Sequence, residues 1–135
     1  MDFILDACAL IAVLNDESGA DTVADLLIRA ETGIDRLFIS SIQVLEVYYD
    51  RIYVKDRAYA DTFLNSLNTS PLIVLSEIPN DIIREAGRFK TSYSISLADS
   101  IAAATAKNLG AVLVTKDDEL KAVEEAGEFS ILWLK

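Results

Sequence analysis

The sequence predicts an α/β fold, a single domain over residues 1–135 with a parallel sheet of four to five strands sandwiched between helices. Three observations predict it. Short, wholly apolar runs recur at Phe3–Leu5, Leu37–Ile39, Leu72–Leu75 and Ala111–Val114, the pattern of strands buried on both faces. Longer stretches with apolar residues at helical spacing separate them, as crossovers between parallel strands require. Hydrophobic residues make up 52% of the chain, enough for a sizeable core, and no linker-like or repeated stretch interrupts it.

The elements follow in order. Phe3-Ile4-Leu5 is a strand ending at Asp6, and Ala9 to Leu14 follows as a helix that stops near Asn15-Asp16. Val23, Ala24, Leu26, Leu27 and Ala30 recur at helical spacing between Ala20 and Ala30, and Gly33 ends the run. Leu37 to Ile39 is the second strand. Ser40 and Ser41 are N-cap residues by type for a helix from Ile42 to about Ile52, which pairs with a helix from Arg57 to about Leu67 in a hairpin. Pro71 opens the third strand, Leu72 to Leu75, and an amphipathic helix runs from Ile78 to about Lys90. Ser96 starts an Ala-rich helix through Ala106, closed near Gly110. Ala111 to Val114 is the fourth strand; Thr115-Lys116-Asp117 leads into a helix ending near Gly127, and Ser130 to Leu134 supplies the fifth strand. Ligands of such sheets bind beyond the carboxyl ends of the strands, where the strand order reverses.

Composition narrows the chemistry. The absence of histidine removes His-based acid/base catalysis, Ser-His-Asp triads and histidine metal sites together. The single cysteine, Cys8, excludes an intrachain disulfide and a multi-cysteine zinc site, which suits a reducing compartment. The N-terminal apolar run carries Asp6 and lacks a basic leader, so a cytoplasmic protein with no membrane association is expected. A formal charge of −10 argues against a nucleic-acid partner unless a metal ion reverses the local field.

Hydrolytic chemistry must therefore lean on carboxylates. Asp6 and Asp117 each follow a strand and fall at the carboxyl edge of the sheet, although each also suits a helix cap, and Asp118 competes with Asp117 for the role. Asp99 fits a capping box, Ser96-Leu97-Ala98-Asp99, but heads a face of Ala102, Ala103 and Ala106 that lets its helix approach the sheet closely. Glu46 shares a helical stripe with Ile42, Leu45 and Tyr49 and is expected to face inward, where a carboxylate needs a partner. Carboxylates sharing a cleft repel one another unless a cation sits among them. An all-oxygen site fits magnesium and lacks the usual ligands of zinc. Arg84, Arg88 and Lys90, shortly before Asp99, are the candidates for phosphate contacts. Tyr48, Tyr49, Tyr53, Tyr59 and Phe63 concentrate in the hairpin, as either its core or a partner surface.

Four segments together resemble the PIN-domain nucleases, most closely the VapC-type toxins of toxin–antitoxin pairs: Ile4 to Leu10, Ser41 to Tyr48, Ser96 to Ala104 and Leu113 to Leu120. The resemblance spans nearly the whole chain. It implies an acidic quartet of Asp6, Glu46, Asp99 and Asp117 supported by the Thr115 hydroxyl, endoribonuclease cleavage of RNA with magnesium or manganese, an antitoxin partner and a homodimer. Asp6, Glu46 and Asp99 would serve mainly a primary metal, and Asp117 a second, weaker or water-mediated contact. Cys8 stands where such proteins commonly carry Ser or Thr, and Leu120 where Phe is frequent. The alternatives are a PIN-like interaction protein without turnover and a phosphoacceptor receiver-like domain. The latter wants an acceptor Asp where Ser76 stands, just as a haloacid-dehalogenase-like phosphatase wants one at Cys8.

Overall fold

The computed structural model describes all 135 residues. Strands β1 (Asp2–Leu5), β2 (Arg36–Ser40), β3 (Ile73–Leu75), β4 (Val112–Thr115) and β5 (Ile131–Trp133) form one sheet. Its order is β3-β2-β1-β4-β5, and every neighbouring pair is parallel. Helices α1 (Ala7–Leu14), α2 (Ala20–Glu31), α3 (Ser41–Val54) and α4 (Arg57–Ser66) connect the first three strands. Helices α5 (Asn80–Ser92), α6 (Leu97–Leu109) and α7 (Lys121–Glu125) follow. The expected fold and all five strands are present.

Alternation along each strand divides the core in two. Phe3, Leu5, Leu37, Ile39 and Val114 pack against α1 to α4, while Ile4, Phe38 and Leu113 turn to the other face and meet α5 to α7. The central strands are therefore covered on both sides, which is why they read as continuous apolar runs. β3 lies at the edge, and Ile73 and Val74 are exposed there despite the same apolar character. Truncating a fully buried residue such as Ile4 or Leu113 to alanine would cost about 2–5 kcal/mol.

Local chemistry adjusts the predicted bounds. Helix α1 begins at Ala7 instead of Ala9, because the Asp6 side chain caps it by accepting the Ala7 N–H at 2.8 Å. Helix α5 begins at Asn80 and not Ile78, because Pro79 disfavours helical backbone at the residue before it and is itself extended at ψ 164°. Gly110, at φ +63°, ends α6 in the left-handed conformation that helix C-termini favour. The last predicted helix is split into a 3₁₀ turn over Asp118–Leu120 and the short α7.

Strand order decides where a site can form. Beginning at β1, the chain adds β2 and β3 on one side and then returns to place β4 and β5 on the other. The reversal lies between β1 and β4, and Asp6 and Thr115 stand at their carboxyl ends. The same order puts Ser76 beside an edge strand, away from the centre of the sheet, which removes the receiver-like arrangement. No helix is long and apolar enough to cross a membrane.

Candidate metal centre

Three acids from three elements converge at that reversal. Asp6 follows β1, Asp99 sits in the first turn of α6 and Asp117 follows β4; each offers a carboxylate oxygen within 4.8 Å of the other two. They line a cavity of about 250 Å³ whose wall also carries Cys8, Glu46, Tyr49 and Asp50. The β1–β4 ladder sets one side of the triangle, for Asp6 N–H donates to the Val114 carbonyl at 3.0 Å.

Asp6 is buried and closely held. Its Oδ1 accepts the Ala7 N–H, and its Oδ2 accepts the Thr115 hydroxyl at 2.8 Å and the Cys8 thiol at 3.5 Å. Burial raises its pKa above the ordinary carboxylate value, although these donors oppose the shift. Cys8 joins the network, because the Lys116 N–H donates to its sulfur at 3.5 Å. Burial and the neighbouring Asp6 push the thiol up to about 12.

Asp99 separates a capping role from a site role. Ser96 Oγ accepts the Asp99 N–H at 3.1 Å, half of a capping box. The reciprocal bond to the Ser96 N–H comes from Glu119 Oε2 at 3.3 Å, not from Asp99. The Asp99 carboxylate is thereby left to the cavity: the residue is 3% exposed, and its Oδ2 is buried with no hydrogen-bond donor. Burial raises its pKa most strongly, and the facing carboxylates of Glu119, Asp6 and Asp117 add to the rise.

Asp117 is half-buried and Asp118 is exposed, so the structure distinguishes the two. Asp117 Oδ1 caps the 3₁₀ turn through the Glu119 N–H at 3.0 Å, and its own N–H donates to Thr115 Oγ1 at 3.0 Å. Asp118 turns outward to Lys121 at 3.2 Å.

Glu46 corrects the sequence reading of α3. Leu45 and Tyr49 are exposed, and the inward stripe is Gln43, Val44, Val47 and Arg51, rotated about one residue from the expected one. Glu46 consequently sits at the border, half-buried, and reaches the cavity wall without joining the close group of three. Burial first, then Asp6 and Asp117, raises its pKa, while the Tyr49 hydroxyl opposes the shift.

The predicted basic residues lie elsewhere. Arg84 pairs with Asp81 at 3.1 Å on the exposed face of α5. Arg88 engages Glu85 and Glu128, and Lys107 joins both acids at 3.0 Å. Lys90 donates to the Ile95 carbonyl at 2.6 Å. None of the three lines the acidic cavity.

Three polar residues near the site escaped the sequence reading. Glu119 carried no signal, being one acid in a charged turn. Gln43 is fully buried and touches the backbone beside two of the acids, as its place one turn before Glu46 could have suggested. Arg51 is 1% exposed and bonds to Asn15 Oδ1 at 2.7 Å and Asp50 Oδ2 at 2.6 Å. Its type predicted a surface position.

The PIN domain family model matches residues 3–126, and the chain belongs to that family. Its members are generally nucleases, hydrolases acting on nucleic acid. Among solved structures, the fold is similar to that of VapBC2 from Rickettsia felis bound to a promoter DNA fragment, with 18% identity, full coverage of both chains and a TM-score of 0.77. DNA-bound VapBC from Salmonella typhimurium is 19% identical, with 98% of this chain and 97% of that chain covered and a TM-score of 0.71. PAE2754 from Pyrobaculum aerophilum is 24% identical, with 90% and 84% covered and a TM-score of 0.66. No curated protein matches the sequence.

Proposed function

We propose that this chain is a divalent-metal-dependent endoribonuclease, the VapC-type toxin of a toxin–antitoxin pair, with Asp6, Asp99 and Asp117 holding magnesium or manganese. The observation that carries this reading is the buried Asp99 Oδ2, which has no donor and faces other carboxylates. A buried anion left in that state is costly, and a cation among the three acids offsets the cost. The donor set is all oxygen, with hydroxyl and amide groups orienting the ligands from behind, which suits a hard cation. Family membership and the similarity of fold to VapBC toxin–antitoxin structures support the same conclusion.

When bound, the cation supplies the positive charge that activates water and offsets charge developing on phosphate oxygens. The protein's own part is positional. Thr115 and the Ala7 amide fix the Asp6 carboxylate, and Thr115 also holds the backbone of Asp117. Glu46, on the cavity wall with its pKa raised, is placed to take a proton at its carboxylate from water entering the cavity. The exposed apolar side chains Leu45, Tyr53 and Val54 of α3 supply the face for an antitoxin or a second copy of the chain.

Incubation of the purified protein with mixed cellular RNA in magnesium, in manganese and in chelator tests the reading. Cleavage is expected only with a cation present. Cation binding without cleavage of any RNA would retain the metal centre and remove the nuclease.

A further inference from the structure

The three acids are not equally well anchored to one another. Asp6 and Asp117 ride on β1 and β4, neighbours in one ladder, and share the Thr115 hydroxyl. Asp99 belongs to a helix, and α6 rests on the sheet through Ala102, Ala103 and Ala106, all fully buried. Such small side chains permit close approach and interlock little with the sheet, so contacts at the end of the helix help to fix its position along its axis.

Glu119 ties the start of α6 to the turn after Asp117 through the Ser96 N–H, and a second side chain spans the gap between Asp99 and Asp6. Gln43, fully buried at the start of α3, donates through Nε2 to the Ala98 carbonyl at 2.9 Å and accepts through Oε1 from the Ala7 N–H at 3.3 Å. Ala98 immediately precedes Asp99, and Ala7 immediately follows Asp6. The Ala7 N–H is the group that also holds Asp6 Oδ1, so the amide meets Asp6 at its own anchor. Ser40 Oγ accepts the Gln43 N–H at 3.4 Å and ties the residue to the end of β2. A buried primary amide is costly unless both its donor and its acceptor are used, and here each is used on the backbone of a different acid-bearing segment.

We propose that Gln43 is a positioning residue that sets the separation of Asp6 and Asp99 by clamping Ala7 and Ala98 across the carboxyl edge of the sheet. The inference rests on the metal centre proposed above. It assigns to a neutral side chain from the first helical layer the alignment of a helix in the second.

Manganese binding by calorimetry, well below the melting temperature, tests it with the parent, Gln43→Met, Gln43→Asn and Val47→Ala. Methionine keeps the volume and loses both bonds; asparagine keeps the chemistry but is too short to span both partners. Val47→Ala destabilises the same helix from a buried position that does not line the acidic cavity. Both Gln43 variants should bind manganese about tenfold more weakly or worse, as expected for residues that orient metal ligands, while Val47→Ala binds like the parent. Parent-like affinity in either folded Gln43 variant, or equal losses in Val47→Ala, would overturn the clamp and leave the metal centre standing. Absence of manganese binding by the parent would instead remove the centre, and the clamp with it.

Discussion

The Thr115 hydroxyl donates to Asp6 Oδ2 at 2.8 Å and joins β1 to β4 where the strand order reverses. The same oxygen accepts the Asp117 N–H at 3.0 Å. One buried hydroxyl thus orients one acid and fixes the backbone of the next.

Thr115→Val keeps the shape and removes both bonds. Burying the Asp117 amide and Asp6 Oδ2 with fewer partners should lower stability by about 1–3 kcal/mol and weaken manganese binding. Thr115→Ser should restore most of each. Urea denaturation together with calorimetric titration checks the pair, and a valine variant that binds manganese like the parent would contradict the orienting role.

The raised pKa values of Asp6, Asp99 and Glu46 predict a pH dependence of the metal-free protein. Each group binds its proton more tightly folded than unfolded, so its contribution to stability is complete below the ordinary carboxylate range and is lost as pH rises through the folded value. The melting temperature in chelator should therefore fall between about pH 5 and pH 9. Glu128, held down to about 2 by Arg88, loses its contribution only below that window. Manganese should suppress the fall, because the cation takes the place of the proton. Scanning calorimetry in chelator showing a melting temperature that rises across the window would contradict the assignment.

The aromatic residues of α3 and α4 range from buried to exposed, with Tyr48 and Tyr59 between the extremes. Phe63 is buried in the core, whereas Tyr53 is 84% exposed and stacks edge-on against Tyr49 with ring centroids 6.1 Å apart. Phe63→Ala should destabilise the monomer by about 3–5 kcal/mol. Tyr53→Ala should leave monomer stability within about 0.5 kcal/mol. If α3 is a partner face, the same change should weaken association by about 1–3 kcal/mol. Light scattering with the parent and Tyr53→Ala, alone and with a cognate antitoxin, checks this; identical association in both would exclude Tyr53 as an anchor.

The fold was readable because the central strands are buried on both faces, so that Phe3–Leu5 and Ala111–Val114 announce themselves as apolar runs. Asp6 and Asp117 were readable for the same reason, since they stand just past the ends of those runs. Asp99 was readable only in part: its sequence fits a cap equally well, and Glu119, from 20 residues downstream, is what closes the box instead. Glu46 was misoriented because Leu45 and Tyr49 are apolar yet exposed, while polar Gln43 and Arg51 face inward. Period alone cannot recognise a buried stripe whose polar members are satisfied by distant backbone and side chains. Arg88 likewise looked free until Glu128, far off in sequence, supplied its partner.

Asp99→Asn tests the central claim most directly, because it keeps the shape of the side chain and removes one charge from three facing acids. Melting in chelator and manganese titration are measured on one preparation, followed by manganese-dependent RNA cleavage. The metal-free variant should melt at or slightly above the parent, since relief of like-charge repulsion outweighs the loss of a charge at the helix start. It should bind manganese at least about tenfold more weakly and lose cleavage, a neutral amide being a poorer ligand. A variant that is less stable than the parent by about 0.5–1 kcal/mol, the signature of a lost cap, yet binds manganese and cleaves RNA as the parent does, would contradict the assignment of Asp99 to the metal.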